Sequence, residues 1–177
     1  VAVVGVPVRD LGRAHTGAEA ATVAGEGLGA DLGLPPETIR EAFIEEARIG
    51  ATPVSDHAML PHFRTDEAEG HRLVIMRSRN GVPVQAREEG HRVRALFFLV
   101  SPHRNPGQHL RILAQIAARV DADDFLERWL GARDETELRD ALLHDRDLLA
   151  VRPDPEARSG APAGPMTRAC TLPAAVT

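Results

Sequence analysis

The sequence predicts an α/β protein with a mixed, mostly parallel central sheet and helices on both faces. Strand-like and helix-like segments alternate along the 177 residues. The segment 92–102, RVRALFFLVSP, is apolar almost without interruption, as is typical of a central strand that is covered on both faces. A strong helical pattern follows that strand at residues 106–120.

The first third of the chain predicts one strand and two helices. Residues 1–8 predict a short strand or the end of an upstream segment. Residues 14–29 have helical spacing of small apolar residues, although three glycines weaken that helix. A stronger helix is predicted at 32–50, because Pro36 suits a first turn and Gly50 a helix end. Its apolar face consists of Ile39, Phe43, Ile44 and Ala47.

The rest of the chain predicts strands first and helices afterwards. Residues 57–61 and 71–78 predict strands, and Asn80-Gly81 indicates a hairpin turn. After the apolar strand, the helix at 106–120 is predicted to bury Leu110, Leu113, Ile116, Ala117 and Val120. Two short helices follow, each beginning with acidic residues. We therefore divide the chain into 1–13, a domain at 14–150, and a disordered Pro/Ala-rich tail at 151–177.

Composition excludes several classes of function. The net charge of −5 disfavours nucleic acid and anionic membranes as main partners. No apolar run is long enough to span a membrane, so we expect no membrane insertion of this segment. The single cysteine, Cys170, leaves neither a disulfide within the chain nor a cysteine metal cluster. All basic residues are arginine, which rules out a Walker A motif.

Two of the eight histidines stand out by context. His62 follows Pro61 at the end of an apolar run, and Arg64 lies two residues further on. His109 opens the helix after the central strand, where unpaired N–H groups favour an anion. Local sequence leaves the alternatives open, a loop histidine for His62 and a partly buried first-turn histidine for His109. We predict that His15, His71, His91 and His144 are solvated because charged residues flank them.

Together these segments resemble the enzyme IIA domain of the fructose/mannitol class of the bacterial sugar phosphotransferase system, which includes the nitrogen-related IIA proteins. The resemblance covers about residues 14–145 and rests on IGATPVSDHAMLPHFR, VRALFFLVSP and PGQHLRILAQIA. Thr52, Pro61, His62, Arg64, His109 and Leu110 match the family pattern in order and spacing.

The resemblance implies a phosphocarrier, which is a phosphotransferase if it is active. His62 would be phosphorylated by phospho-HPr with His109 as its active-site partner, and the phosphoryl group would pass to an enzyme IIB domain. Arg64, Ser101 and Thr52 are weaker candidates for contacts to phosphate oxygens. No cofactor and no metal is expected, and the domain would be cytoplasmic, with a possible tether through an upstream domain. Met59, Leu60 or Phe63 could form an apolar docking patch near the site, although for Leu60 a place in the core is the stronger expectation.

The sequence also departs from the family pattern, which keeps other functions open. The family usually carries an Arg-Glu pair about sixteen residues before the active histidine, whereas this chain has Glu46 there and its nearest arginine is Arg48. Asp56 and His57 replace residues that are commonly small. These departures favour, as an alternative, a regulatory domain fused to or associated with a membrane permease or ion antiporter.

A metal site is the remaining alternative. It would use His57, His62, His103 and His109 with Asp56. His57 and His62 lie five residues apart, so on a regular strand their side chains point to opposite faces. The spacing therefore disfavours this site.

Overall fold

The computed structural model describes residues 8–11, 16–50, 53–83 and 91–142, and its α/β architecture confirms the predicted fold class. The predicted tail at 151–177, residues 1–7 of the predicted first strand, His15, His144 and Thr52 lie outside the described residues. The strands are β1 (Val8–Asp10), β2 (Ala58–Met59), β3 (His62–Thr65), β4 (Arg72–Pro83) and β5 (Arg92–Pro102). The helices are α1 (Gly17–Leu32), α2 (Pro36–Gly50), α3 (Pro106–Val120), α4 (Phe125–Gly131) and α5 (Glu135–Leu142).

The central strand of the sheet is β5, as its apolar run predicts. The strand order is β1-β4-β5-β2, with β3 also paired to β5. The β1–β4, β2–β5 and β3–β5 pairs are parallel, and only β4–β5 among the described pairs is antiparallel. From Ala95 to Pro102 every residue of β5 is buried, which is the burial expected of a strand covered on both faces.

Side chains of β4 and β5 alternate between two cores, one on each face of the sheet. Val74, Met76, Leu96 and Phe98 pack with α1 and α2 on one face. Leu73, Ile75, Phe97 and Leu99 pack with α3, α4 and α5 on the other. This period of two follows from the pleat of a β-strand and places helices on both faces of the sheet.

Gly25 of α1 serves close packing, and the helix does not end early at its glycines. Thr16 caps α1 through a reciprocal capping box with Glu19, and the helix continues to Leu32. A Cβ added at Gly25 would lie 2.4 Å from the carbonyl oxygen of Pro36 at the start of α2. The absence of a side chain at this position therefore allows the two helices to approach closely.

The predicted hairpin turn at Asn80-Gly81 is wrong. Strand β4 continues to Pro83, and Gly81 adopts a φ of 74° within it. The register with β5 changes between Arg77, opposite Ala95, and Val82, opposite Val93. Asn-Gly therefore supplies the left-handed conformation of an irregularity within the strand, and the connection between β4 and β5 comes later in the chain.

A buried arginine joins β4 to the two neighbouring parts of the fold. The Arg77 side chain is 2% exposed and forms a 2.5 Å ion pair with Asp10 of β1. It also donates to the carbonyl oxygens of Trp129 and Ala132 at the end of α4. Because these acceptors satisfy most of the buried guanidinium, Arg77 fixes β1 and α4 against the sheet.

None of the described helices is both long enough and apolar enough to cross a lipid bilayer.

Candidate active site at the sheet edge

Strand β3 presents His62 at the edge of the sheet. The pairs Ala58–Ala95, Met59–Leu96 and His62–Leu99 keep one register, so β2 and β3 follow a single path along β5 on either side of Pro61. Pro61, which has no N–H to donate, therefore does not end the pairing with β5. The Pro61 carbonyl still accepts a hydrogen bond from the Leu99 N–H at 3.0 Å, and the interruption is confined to Leu60 and Pro61.

The backbone beside Pro61 fixes the orientation of the His62 ring. Nδ1 of His62 lies 2.8 Å from the carbonyl oxygen of Leu60. A carbonyl only accepts hydrogen bonds, so Nδ1 carries the proton and Nε2 carries the lone pair in the neutral ring. The half-buried ring lines the pocket described next, with Nε2 as its basic atom.

An open pocket of about 420 Å³ lies at this edge between α2, β3 and α3. Its polar side chains come from Glu46, His62, Arg64 and His109. Its apolar lining consists of Phe63, Pro106, Leu110 and Leu113. The two histidines predicted from the sequence therefore share one pocket, and their ring centroids lie 5.2 Å apart.

Helix α3 brings His109 to the pocket from the first turns of the helix. The side chain is 6% exposed, and Nδ1 lies 2.8 Å from the hydroxyl oxygen of Ser101 on β5. Burial, together with the charges of His62, Arg64 and His71, lowers the pKa of His109 from 6.5 to about 4. His109 is therefore neutral near pH 7 and can donate or accept one hydrogen bond at each ring nitrogen.

Arg64 lies on the same face of β3 as His62, because residues two apart on a strand share a face. Its side chain is exposed and lines the pocket. The start of α3 adds the partial positive charge of a helix N-terminus near Pro106. Both features favour an anion beside the His62 ring.

Glu46 places a carboxylate in the pocket where the family pattern predicts an arginine. The nearest arginine, Arg48, does not substitute for it, because its side chain is 74% exposed and pairs with Glu45 at 2.7 Å. The charge at this wall of the pocket is therefore negative.

Ser101 does not reach the pocket surface. It is fully buried on β5, opposite Arg64 in the sheet register, and its hydroxyl lies under the His109 ring. Its contact is with the imidazole, so any effect on a bound anion passes through His109.

Two predictions about individual side chains are wrong. His71, expected to be solvated, is 3% exposed and also lies 2.8 Å from the Ser101 hydroxyl. Leu110, expected in the core, is 63% exposed at the rim of the pocket. Met59 and Leu60 are buried in the core, which leaves Phe63 as the member of the predicted docking patch that lines the pocket.

Within 8–11, 16–50, 53–83 and 91–142, no group of three or more His, Cys, Asp or Glu side chains is arranged to hold a metal ion. Of the four histidines of the metal alternative, His103 instead pairs with Asp66 at 3.2 Å, on the exposed surface.

Comparison with known protein families shows which family the chain belongs to. The pattern of the family described as "Phosphoenolpyruvate-dependent sugar phosphotransferase system, EIIA 2" matches residues 28–145, which is most of the chain. The chain belongs to this EIIA type 2 family. The match contains α2, the whole sheet except β1, and all the described residues of the pocket.

Solved structures of EIIA proteins share the fold. The nitrogen regulatory protein IIA-Ntr from Neisseria meningitidis superposes with a TM-score of 0.70 at 21% identity, over 76% of this chain and 91% of that chain. IIA mannitol from Escherichia coli gives 0.62 at 21% identity, over 76% and 94%. The same scores are found for the E. coli IIA mannitol protein in complex with phosphorylated enzyme IIB mannitol, over 77% and 94%. No curated protein sequence matches the chain significantly.

Proposed function

We propose that this EIIA domain is a phosphocarrier that accepts a phosphoryl group on Nε2 of His62. The observation that carries the proposal is the Nδ1–Leu60 contact of 2.8 Å, which leaves Nε2 as the basic atom of a ring that lines the pocket with His109. Phospho-HPr would be the donor. An enzyme IIB domain would be the acceptor, in keeping with the solved complex of a family member with phosphorylated IIB.

The transfer needs no redox partner and no metal. The lone pair of His62 Nε2 attacks phosphorus in line, forming an N–P bond while the N–P bond of the donor phosphohistidine breaks. The bonding electrons return to the donor imidazole. The His62 ring becomes a phosphorylated imidazolium whose Nδ1–H still donates a hydrogen bond to the Leu60 carbonyl oxygen. In the second transfer a nucleophile of the acceptor attacks phosphorus, the N–P bond to His62 breaks, and its bonding electrons return to the His62 ring.

The pocket supplies the electrostatic part of the reaction. Arg64 and the N-terminus of α3 place positive charge beside the phosphoryl oxygens, and His109 offers a hydrogen bond from Nε2. The site is open, as it must be when two proteins dock on it in turn. The exposed Leu110 and the half-buried Phe63 at its rim provide apolar contact for those partners. Thr52, which precedes the described residues of this loop, is proposed to shape it.

A regulatory role is the second candidate, and Glu46 favours it. A carboxylate in the pocket opposes the charge of a phosphoryl group, so phosphorylation would be less favourable than with the usual arginine. A domain that reports its phosphorylation state to a fused or associated transporter tolerates slow transfer better than a sugar carrier does. The fold neighbour IIA-Ntr is described as a nitrogen regulatory protein. We place the domain in the cytoplasm, where HPr would reach it, with or without a tether to the membrane.

The test is phosphorylation by purified components. The domain is incubated with phosphoenolpyruvate, enzyme I and HPr, and acid-labile phosphate is measured on wild type, His62→Ala and His109→Ala. We expect label on wild type, none on His62→Ala, and slower labelling of a folded His109→Ala. Unlabelled wild type, or label that persists in His62→Ala, would refute the phosphocarrier function. A full-length chain with an upstream permease would favour the regulatory role over sugar uptake.

A further inference from the structure

A buried serine connects the site to a second histidine that lies outside the pocket. The Ser101 hydroxyl oxygen lies 2.8 Å from Nδ1 of His109 and 2.8 Å from Nδ1 of His71. Ser101 is fully buried, and the two histidines are 6% and 3% exposed. The three side chains come from β5, α3 and the residue before β4, so the cluster links three elements beneath the pocket floor.

The hydroxyl group has only one hydrogen to share between two ring nitrogens. It can donate to one Nδ1 and must accept from the other, so the two neutral rings carry their protons in opposite ways. One ring is protonated at Nδ1 and the other at Nε2. Burial lowers the pKa of both histidines, which keeps both rings neutral and preserves this one-proton pattern near pH 7.

The unpartnered nitrogen of His71 determines the direction of the hydrogen bonds. Nε2 of His71 is buried and has no hydrogen-bond partner in the described part of the chain. A buried N–H without an acceptor is costlier than a buried lone pair without a donor, so Nε2 is the bare nitrogen of this ring. His71 then carries its proton on Nδ1 and donates it to Ser101. Ser101 in turn donates to Nδ1 of His109.

We propose that His71 and Ser101 are positioning residues that hold the proton of His109 on Nε2, aimed at a phosphoryl group on His62. The relay runs from His71 through Ser101 to His109. It rests on the proposed phosphocarrier function of His62 and adds residues that act only through His109.

The direction of the relay decides whether His109 attracts or repels a phosphoryl group on His62. With the proton on Nε2, His109 donates a hydrogen bond to a phosphoryl oxygen in a half-enclosed site. With the proton on Nδ1, its Nε2 lone pair would face that oxygen and repel it. A neutral histidine in bulk water exchanges between the two forms, so a buried partner of fixed polarity is needed to select one.

The first test reads the tautomers without any phosphate. In protein labelled with ¹⁵N-histidine, we expect a bare, pyridine-type Nδ1 on His109 and a protonated, pyrrole-type Nδ1 on His71. Ser101→Ala should let His109 exchange between both forms, and Ser101→Thr, which keeps the hydroxyl, should restore the wild-type pattern. Ser78→Ala is the matched control, because Ser78 is equally buried on β4 and its hydroxyl has no partner among the described residues. A protonated Nδ1 on wild-type His109 would overturn the proposal.

The second test reads the consequence for transfer. We expect Ser101→Ala to lower the rate of labelling by phospho-HPr and by the small donor phosphoramidate about tenfold, and Ser78→Ala to leave both rates unchanged. Should Ser101→Ala fail to fold, His71→Phe removes the hydrogen bond that orients the Ser101 hydroxyl while filling the volume of the His71 ring, and a loss in the same direction is expected. Wild-type rates in a folded His71→Phe or Ser101→Ala would overturn the relay alone. An unlabelled wild type with the expected tautomers would instead overturn the phosphocarrier function, leaving the hydrogen-bond direction standing.

Discussion

Acid should destabilise this domain through His109, because the folded protein resists protonation of that ring. The pKa of His109 is lowered from 6.5 to about 4, chiefly because the ring is desolvated and secondarily because His62, Arg64 and His71 bring positive charge near it. Between these two values the unfolded chain binds a proton that the folded chain does not. Stability is therefore fully present above about pH 6.5 and is lost as the pH falls toward 4.

The size of the effect follows from the two pKa values. Integrating the linkage relation from pH 7.5 to pH 5 gives a loss of about 2 kcal/mol from this one group. His71, whose pKa burial also lowers, acts in the same direction. The difference between wild type and His109→Asn isolates the contribution of His109, since asparagine can keep a hydrogen bond to Ser101 and does not titrate.

The assay is urea unfolding of both proteins across this pH range, followed by circular dichroism. We expect the free energy of unfolding of wild type to fall about 2 kcal/mol more than that of His109→Asn between pH 7.5 and pH 5. Parallel pH curves for the two proteins would refute the assignment of a buried, neutral His109, and with it the premise that its ring enters the reaction uncharged.

Three further predictions test the pocket and the fold. Glu46→Gln should speed labelling of His62 roughly fivefold, because the substitution removes about 1 kcal/mol of charge repulsion in a half-exposed pocket. A slower variant would mean that the carboxylate assists the reaction. Leu110→Ala should reduce kcat/KM with phospho-HPr several-fold while leaving phosphoramidate labelling unchanged, and equal losses with both donors would contradict a docking role for this 63% exposed side chain. Gly25→Ala should lower the free energy of unfolding by about 1–3 kcal/mol because its Cβ meets the Pro36 carbonyl. Gly17→Ala, with nothing within 4 Å, is the control and should be neutral or stabilising in thermal melts.

The parts of the fold that sequence predicted well depend on local patterns. The apolar run of β5 identified the central strand, and Pro36 and Gly50 mark the bounds of α2 as expected. Both signals lie within one element and need no knowledge of what packs against it. His62 and His109 could likewise be selected as a pair, since the family pattern relates their order and spacing.

The wrong predictions depend on partners distant in the chain. His71 lies between Gly70 and Arg72, a polar context that predicts an exposed side chain. It is instead buried against Ser101, thirty residues later in the chain. Hydrophobicity alone predicts a buried face of α3 that includes Leu110. The face that is buried includes His109 and Arg119 instead. Arg119 is satisfied there by the Ala141 carbonyl and Asp124. Hydrophobic periodicity cannot identify an inward face that includes hydrogen-bonded polar side chains.

The Asn80-Gly81 error has a different cause. A hairpin turn at Asn-Gly would need a left-handed backbone, and Gly81 does adopt one. Left-handed glycine serves bulges as well as two-residue turns, and local sequence does not distinguish them. The pairing of Val82 with Val93 and of Pro83 with Arg92 shows that the strand continues.

The most direct measurement of the central claim is the position of the phosphoryl group on the ring. Protein labelled with ¹⁵N-histidine is phosphorylated by phospho-HPr, and the one-bond coupling between phosphorus and nitrogen is read by NMR. Because Nδ1 of His62 is held by the Leu60 carbonyl, we predict coupling to Nε2 of His62 and to no other ring nitrogen. Coupling at Nδ1, coupling on another histidine, or no phosphorylation at all would contradict a phosphocarrier built on His62.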